Sequence, residues 1–136
     1  MLDFTTEIGR RADQRLQQEQ VVWLTTVSAD GQPQSSPVWF LWVNGAFLHH
    51  SKSDQKIRNI QWNPRVALHL NDVHGGEVVS IEGTAEVLTG DSAANVQPAY
   101  LKKYRDGIKQ LGLTPEQLVA EYPVAFRVTP TRVRLW

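Results

Sequence analysis

Two tight-turn signals constrain this chain more than any other feature. Ser28-Ala29-Asp30-Gly31 and Asn44-Gly45 each stand between runs of apolar, β-branched and aromatic residues. Gly31 tolerates a positive φ, and Asn-Gly is the strongest short hairpin signal, so consecutive strands must double back. The runs they separate are Gln20 to Val27, Gln34 to Val43 and Ala46 to Ser51. Strands joined by such short turns pair antiparallel.

The strand pattern continues downstream. Val66, Leu68 and Leu70 alternate with Ala67, His69 and Asn71, which gives a strand with one apolar face. His74-Gly75-Gly76 turns the chain into a long strand over Glu77 to Leu88, with Gly83 at a bulge or bend. Val124, Phe126 and Val128 begin a last strand, which Thr131 to Trp136 carries onward.

Helices frame these strands. Phe4, Ile8, Ala12 and Leu16 recur every four residues among charged ones, predicting a helix with one buried stripe. A short basic helix is expected from about Ser53 to Trp62, closed by Asn63-Pro64. Asp91 is placed to cap a helix running to about Tyr104, with Pro98 placed to divide it. Thr114-Pro115-Glu116-Gln117 combines capping-box spacing with proline at the first helical position, predicting a helix to about Glu121. The expected fold is therefore α+β: a six-stranded, mainly antiparallel small β-barrel with flanking helices, forming a single domain over residues 1–136.

Composition narrows the function classes. Formal net charge is zero, so no general attraction to nucleic acid or anionic membrane is expected. No run approaches the roughly 20 apolar residues of a membrane span, and MLDFTTEIGRRADQRL lacks the apolar core of a signal peptide. There is no cysteine, which removes disulfides, thiolate metal sites and a cysteine nucleophile and accords with a cytoplasmic location. His49, His50, His69 and His74 show no HxH or HExxH spacing, so no metal site is expected. Ser35 and Ser36 lack a GxSxG context, and Gly75-Gly76 is followed by neither lysine nor helix.

One stretch carries chemistry. In PQSSPVWFLWVNGAFLHHSKSDQKIRNIQWNP (33–64), two strands bearing Trp39, Phe40 and Trp42 lead to a helix with Lys56 and Arg58 near its start. Free N–H groups and the dipole at a helix N-terminus favour an anion, and nearby cations add to this. Phosphate on the helix with a flat ring against the strands is the pattern of a flavin-type cofactor. The plain alternative is that Lys56 and Arg58 form the solvated face of a short helix, with Trp23 and Trp62 as packing residues.

The segments VVWLTTVSADGQPQSSPVWFLW (21–42), SDQKIRNIQWNPRVALHL (53–70), VVSIEGTAEVL (78–88), PAYLKKY (98–104) and RVTPTRVRLW (127–136) together resemble the pyridoxamine 5′-phosphate oxidase-like split β-barrel flavoproteins. Within them, the chain is most similar to the subgroup classed as coenzyme F-420-dependent reductases. The resemblance implies a homodimer with two cofactor sites between protomers. It implies that Lys56 binds the cofactor phosphate, with Ile57, Arg58 and Asn59 of the same basic helix in the site. His50 and Ser51 match polar contacts to that phosphate, and Ser36, Pro37, Val38 and Trp39 match the strand whose backbone lies along the ring system. Trp136 matches a tryptophan that the other subunit places beside the cofactor.

The true oxidases carry a substrate-gripping tail beyond that tryptophan and an arginine near Ser36; this sequence ends at Trp136 and reads Ser35-Ser36-Pro37. The expected activity is thus not pyridoxamine phosphate oxidation but F-420-dependent hydride transfer to a small conjugated acceptor. FMN is the alternative cofactor, and a non-catalytic flavin- or haem-binding protein the alternative role. The anionic tail of F-420 calls for further cations, for which Lys52, Arg58, Arg65, Lys102, Lys103 and Arg105 are candidates. No catalytic acid–base pair is legible in the sequence.

Overall fold

A computed structural model of the chain describes residues 3–136, with the side chains of 94–96 outside that description. The chain runs α1 (Glu7–Gln18), β1 (Val21–Val27), β2 (Pro33–Trp39), β3 (Leu41–Val43), β4 (Ala46–Ser51), α2 (Gln55–Trp62) and β5 (Arg65–His69). It continues through β6 (Val79–Val87), α3 (Gly90–Lys103), α4 (Arg105–Gln110), α5 (Pro115–Glu121) and β7 (Val124–Leu135). All strands join one curled antiparallel sheet in the order β2-β1-β5-β6-β7-β4-β3. This is the expected α+β split barrel, with seven strands rather than six.

The extra strand has a physical cause. The run from Gln34 to Val43 breaks at Phe40, a fully buried residue between β2 and β3. Those two strands lie at opposite edges of the sheet, so one residue carries the chain from edge to edge. The sheet must curl until its edges meet there, and covalent chain, not a strand ladder, closes the barrel. Phe40 consequently has no strand partner for its amide. The Tyr104 hydroxyl accepts from Phe40 N–H at 2.7 Å, and the same oxygen lies 2.7 Å from the carbonyls of Gln20 and Phe40. Lys103 Nζ donates to the Phe40 carbonyl at 2.7 Å, so the single Tyr104 proton is best used on Gln20.

Inside the barrel, alternate residues pack into one core: Val22 and Leu24 of β1, Val66 and Leu68 of β5, Ile81 of β6, and Phe47, Phe126 and Val128. The opposite face of β6 and β7 carries Glu82–Arg134 and Glu86–Arg127 ion pairs. Gly83 sits at a register shift opposite Pro130, the expected bulge. A Cβ there would lie 2.8 Å from the Thr129 carbonyl oxygen and from Val128 Cγ1, so any side chain would push β7 away. A second, smaller core of Tyr100, Tyr104, Ile108 and Leu118 binds α3–α5 to Trp39 and Leu41.

The helices differ from expectation in detail. In α1, Ala12 and Leu16 are buried but Ile8 is 44% exposed, and Phe4, also 44% exposed, lies before the helix begins. A strict four-residue spacing drifts around a helix of 3.6 residues per turn, and Gly9 takes the inward position instead. Pro98 lies inside α3 without ending it, and Thr89, not Asp91, is the N-cap. The α4 helix was not anticipated. The predicted capping box at Thr114 is present.

Because Tyr104 satisfies an otherwise partnerless buried amide, Tyr104→Phe is expected to lower stability by about 1–3 kcal/mol, the cost of orphaning a buried polar group. Urea unfolding should show a lower midpoint at unchanged slope; an unchanged midpoint would mean that the hydroxyl does not hold the seam.

Candidate functional site

Beside the seam, the structure opens a cleft of about 340 Å³, within the range of small-molecule sites. One wall is the end of edge strand β2 (Pro37, Val38, Trp39), and the floor is the end of β4 (His49, His50, Ser51). Asp54 and Lys56, at the start of α2, close one end. Tyr100, Leu118 and Tyr122 of the helical layer form the opposite wall. Each wall follows from the fold: β2 is exposed along one edge because the barrel is split, and α3–α5 pack on the seam residues instead of completing the sheet.

Of the residues singled out in the sequence, seven meet in this cleft: Pro37, Val38, Trp39, His50, Ser51, Lys52 and Lys56. Ser36 lies on the same strand, half-buried and paired with Leu24. Ile57 points into the barrel core at 3% exposure. Asn59 is also buried, donating to Thr26 Oγ1 at 2.9 Å and to Gln34 Oε1 at 2.8 Å; it anchors α2 to β1 and β2. Arg58 faces solvent, donating to Gln55 Oε1 at 2.9 Å. Trp136 is 59% exposed and borders a separate hollow of about 110 Å³ with Ile8 and Arg11.

The cleft is built from aromatic surface and a small set of polar atoms. The Trp39 ring stacks on Tyr104 at 4.5 Å between centroids, nearly parallel. Gly107 permits this, since a Cβ there would lie 3.1 Å from the indole. Lys56 Nζ is 2.7 Å from Asp54 Oδ2. Asp54 has the extended backbone of an N-cap residue, yet its side chain makes no cap hydrogen bond. The first-turn N–H groups of α2 are left to another acceptor. Lys52 Nζ lies over the Tyr122 ring at 5.2 Å.

Several buried polar atoms at the cleft have no protein partner: His49 Nε2, both ring nitrogens of His50, and Asp54 Oδ1. Buried polar groups are nearly always satisfied, so this concentration marks where a ligand or water belongs. His49 is 1% exposed, and its Nδ1 lies 2.9 Å from the Trp39 carbonyl. A carbonyl can only accept, so Nδ1 carries the proton and Nε2 presents a bare lone pair. Burial pushes the His49 imidazole down to about 4 against the weaker opposing effect of that carbonyl. Burial likewise lowers His50 and raises the Tyr100 hydroxyl. The cleft thus holds neutral imidazoles and a protonated phenol at neutral pH, with its cations at one end.

His49, Asp54, Tyr100, Tyr122 and Leu118 line the cleft without having been singled out. Asp54, two residues before Lys56, carried a legible signal as a helix cap. The helical residues did not, because nothing in their spacing says where α3–α5 dock. Among the described residues, no three His, Asp or Glu side chains gather as a metal site, and no helix is long and apolar enough to cross a membrane.

The family model for pyridoxamine 5′-phosphate oxidase matches residues 8–136. No curated protein matches the chain. Among solved structures, a conserved hypothetical protein from Mycobacterium tuberculosis is similar at a TM-score of 0.77 and 24% identity, over 96% of this chain and 84% of that one. An F-420 reductase is similar at 0.67 and 25% identity, over 90% and 94%. A haem-storage protein from Vibrio cholerae shares the fold at 0.73 and 18% identity, over 96% and 95%. The chain belongs to the pyridoxamine 5′-phosphate oxidase family.

The buried imidazole sets a pH dependence. His49 titrates near 6.5 when unfolded and about 4 when folded, so between these values the unfolded chain binds the extra proton. Its contribution is fully present above about pH 6.5 and is lost as pH falls to about 4, by roughly 3 kcal/mol in all. Denaturant midpoints measured across that window should fall more steeply for the native protein than for His49→Asn; parallel curves would show that His49 is not held neutral.

Proposed function

We propose that this protein is an oxidoreductase that binds coenzyme F-420 in the cleft and passes hydride to a small conjugated organic acceptor, with FMN as the alternative cofactor. The observation that carries the reading is Lys56 beside the open first turn of α2, in a cleft one wall of which is the end of edge strand β2 with its half-buried Trp39. Anion at one end and flat ring along the other is what such a wall and such an end can hold. The partnerless polar atoms at the cleft fit a ligand with hydrogen-bonding groups along its length. Family membership and the likeness to an F-420 reductase support the same reading.

In this proposal Lys56 and the α2 N–H groups hold phosphate, with Ser51 and His50 beside them. Ser36, Pro37, Val38 and Trp39 supply the strand along the ring. Ile57 and Asn59 act from beneath, fixing α2 to the barrel, and Arg58 reaches any longer acidic tail together with Lys52. Bound deazaflavin or flavin supplies the hydride chemistry itself. The protein's part is to orient the ring, exclude water and leave room above it for the acceptor. Tyr100, kept protonated by burial, and neutral His50 are the groups at the cleft able to meet a substrate carbonyl.

Trp136 lies exposed and away from its own cleft. We propose that it completes the cleft of a second protomer, so that the working form is a homodimer with sites at the interface. The protein is proposed to work in the cytoplasm.

Parallel titrations of the cofactor-free protein with F-420 and FMN test the reading. F-420 should bind more tightly, and Lys56→Ala should weaken binding by about 1.5–3 kcal/mol, the worth of a hydrogen bond to a charged group. Preference for FMN would select the alternative, and binding of neither would overturn the cofactor reading. Mixed dimers of Lys56→Ala and Trp136→Ala protomers should retain one intact site if the cleft is shared. Loss of both sites, or of neither, would refute sharing.

A further inference from the structure

The charge at the phosphate end of the cleft is not what a simple anion site requires. Lys56, the cation at the start of α2, is already paired: its Nζ lies 2.7 Å from Asp54 Oδ2. Asp54 occupies the N-cap position with the extended backbone of a cap, but its side chain caps nothing and turns to Lys56 instead. Its other oxygen, Oδ1, is buried at the cleft with no partner. The pair is therefore locally neutral, and a bare carboxylate oxygen stands where a ligand's terminal anion would arrive.

The Lys56 ammonium has donors for both Asp54 and a phosphate, but its single positive charge is already balanced by Asp54. We propose that Asp54 is a charge-specificity residue: it serves as an internal stand-in anion with which an incoming phosphate must share the charge of Lys56, and so disfavours a phosphomonoester dianion relative to a phosphodiester or an uncharged polyol end. The proposal rests on the reading above that a flavin-type ligand lies in the cleft with its phosphate toward Lys56.

The physical argument is one of sign and exposure. The ion pair is partly solvent-exposed, with side-chain exposures of 23% for Lys56 and 38% for Asp54, so it is weak enough to be exchanged. Whether it keeps its hydrogen bond to Lys56 or turns to water, the carboxylate stays near the ligand. A single carboxylate charge about 6 Å from a dianion in water weakens its binding roughly tenfold. A monoanionic phosphodiester is penalised less, and a free hydroxyl end is not penalised, since Oδ1 can accept a hydrogen bond from it. Asp54 thus weighs ligands by terminal charge, in a cleft where Lys56 alone would favour the most negative.

The test compares FMN with riboflavin, which differ only in the phosphate, on the native protein, Asp54→Asn and Asp54→Ser. Both replacements retain good helix-capping side chains. Fluorescence titration should show FMN tightening about tenfold in each variant, with riboflavin unchanged or slightly weaker. An FMN affinity that is unchanged, or that falls in step with riboflavin, would overturn the proposal and make Asp54 an orienting partner of Lys56. If no flavin binds to any of the three proteins, FMN falls as the alternative cofactor and calorimetry with inorganic phosphate decides the role of Asp54. Tighter phosphate binding by Asp54→Asn, abolished when Lys56→Ala is added, would sustain it; equal binding would reject it.

Discussion

The structure depends on the closure of a sheet whose two edges are joined by one residue. A strand ladder would satisfy backbone groups as it closed a barrel, but here Phe40 crosses between edges and its amide belongs to neither. One phenolic oxygen on the helical layer takes over that function. The consequence is an interdependence of layers. The helices cannot leave without orphaning the seam, and the seam cannot form until the helices dock. Lys103, half-buried over the Phe40 ring at 3.9 Å and lowered to about 8 by desolvation, belongs to the same closure.

The cleft exists because of that closure. A fully bonded barrel would have no exposed edge strand; a fully open sheet would have no wall facing it. Splitting the barrel leaves the end of β2 exposed, and the helices that seal the seam stand across from it. His49 links the two, bonding the Trp39 carbonyl from inside the barrel while its free nitrogen lies at the cleft. Stability and site are thus made from the same few groups. Polar atoms at the cleft that no protein group meets cost stability, which is the usual relation between a binding site and the fold that carries it.

Much of the fold was legible because its signals are local. The Asn44-Gly45 turn, the capping box at Thr114, the Gly83 bulge and the alternation of Val66 and Leu68 each depend on a few neighbouring residues. What was not legible depends on distant ones. Nothing near Phe40 announces that the chain changes edges there, since apolar residues flank it on both sides. Likewise α4 follows α3 without a break residue, and its docking is set by Tyr104, Gly107 and Trp39 meeting in space. For the site, the segments supplied Lys56 and the β2 wall, whereas Tyr100, Tyr122 and the inward histidine lone pair required the fold.

The place of β7 has a consequence for how the chain comes to be assembled. This last strand pairs with β4 on one side and β6 on the other, so it alone joins the β2-β1-β5-β6 portion of the sheet to the β4-β3 portion. During synthesis the earlier strands emerge with exposed edges and no bridge between them. The barrel cannot be completed until the 12 residues of β7 leave the ribosome. An interior strand of the sheet is therefore its latest, and the waiting edges of β4 and β6 are the surfaces on which premature pairing between nascent chains would begin.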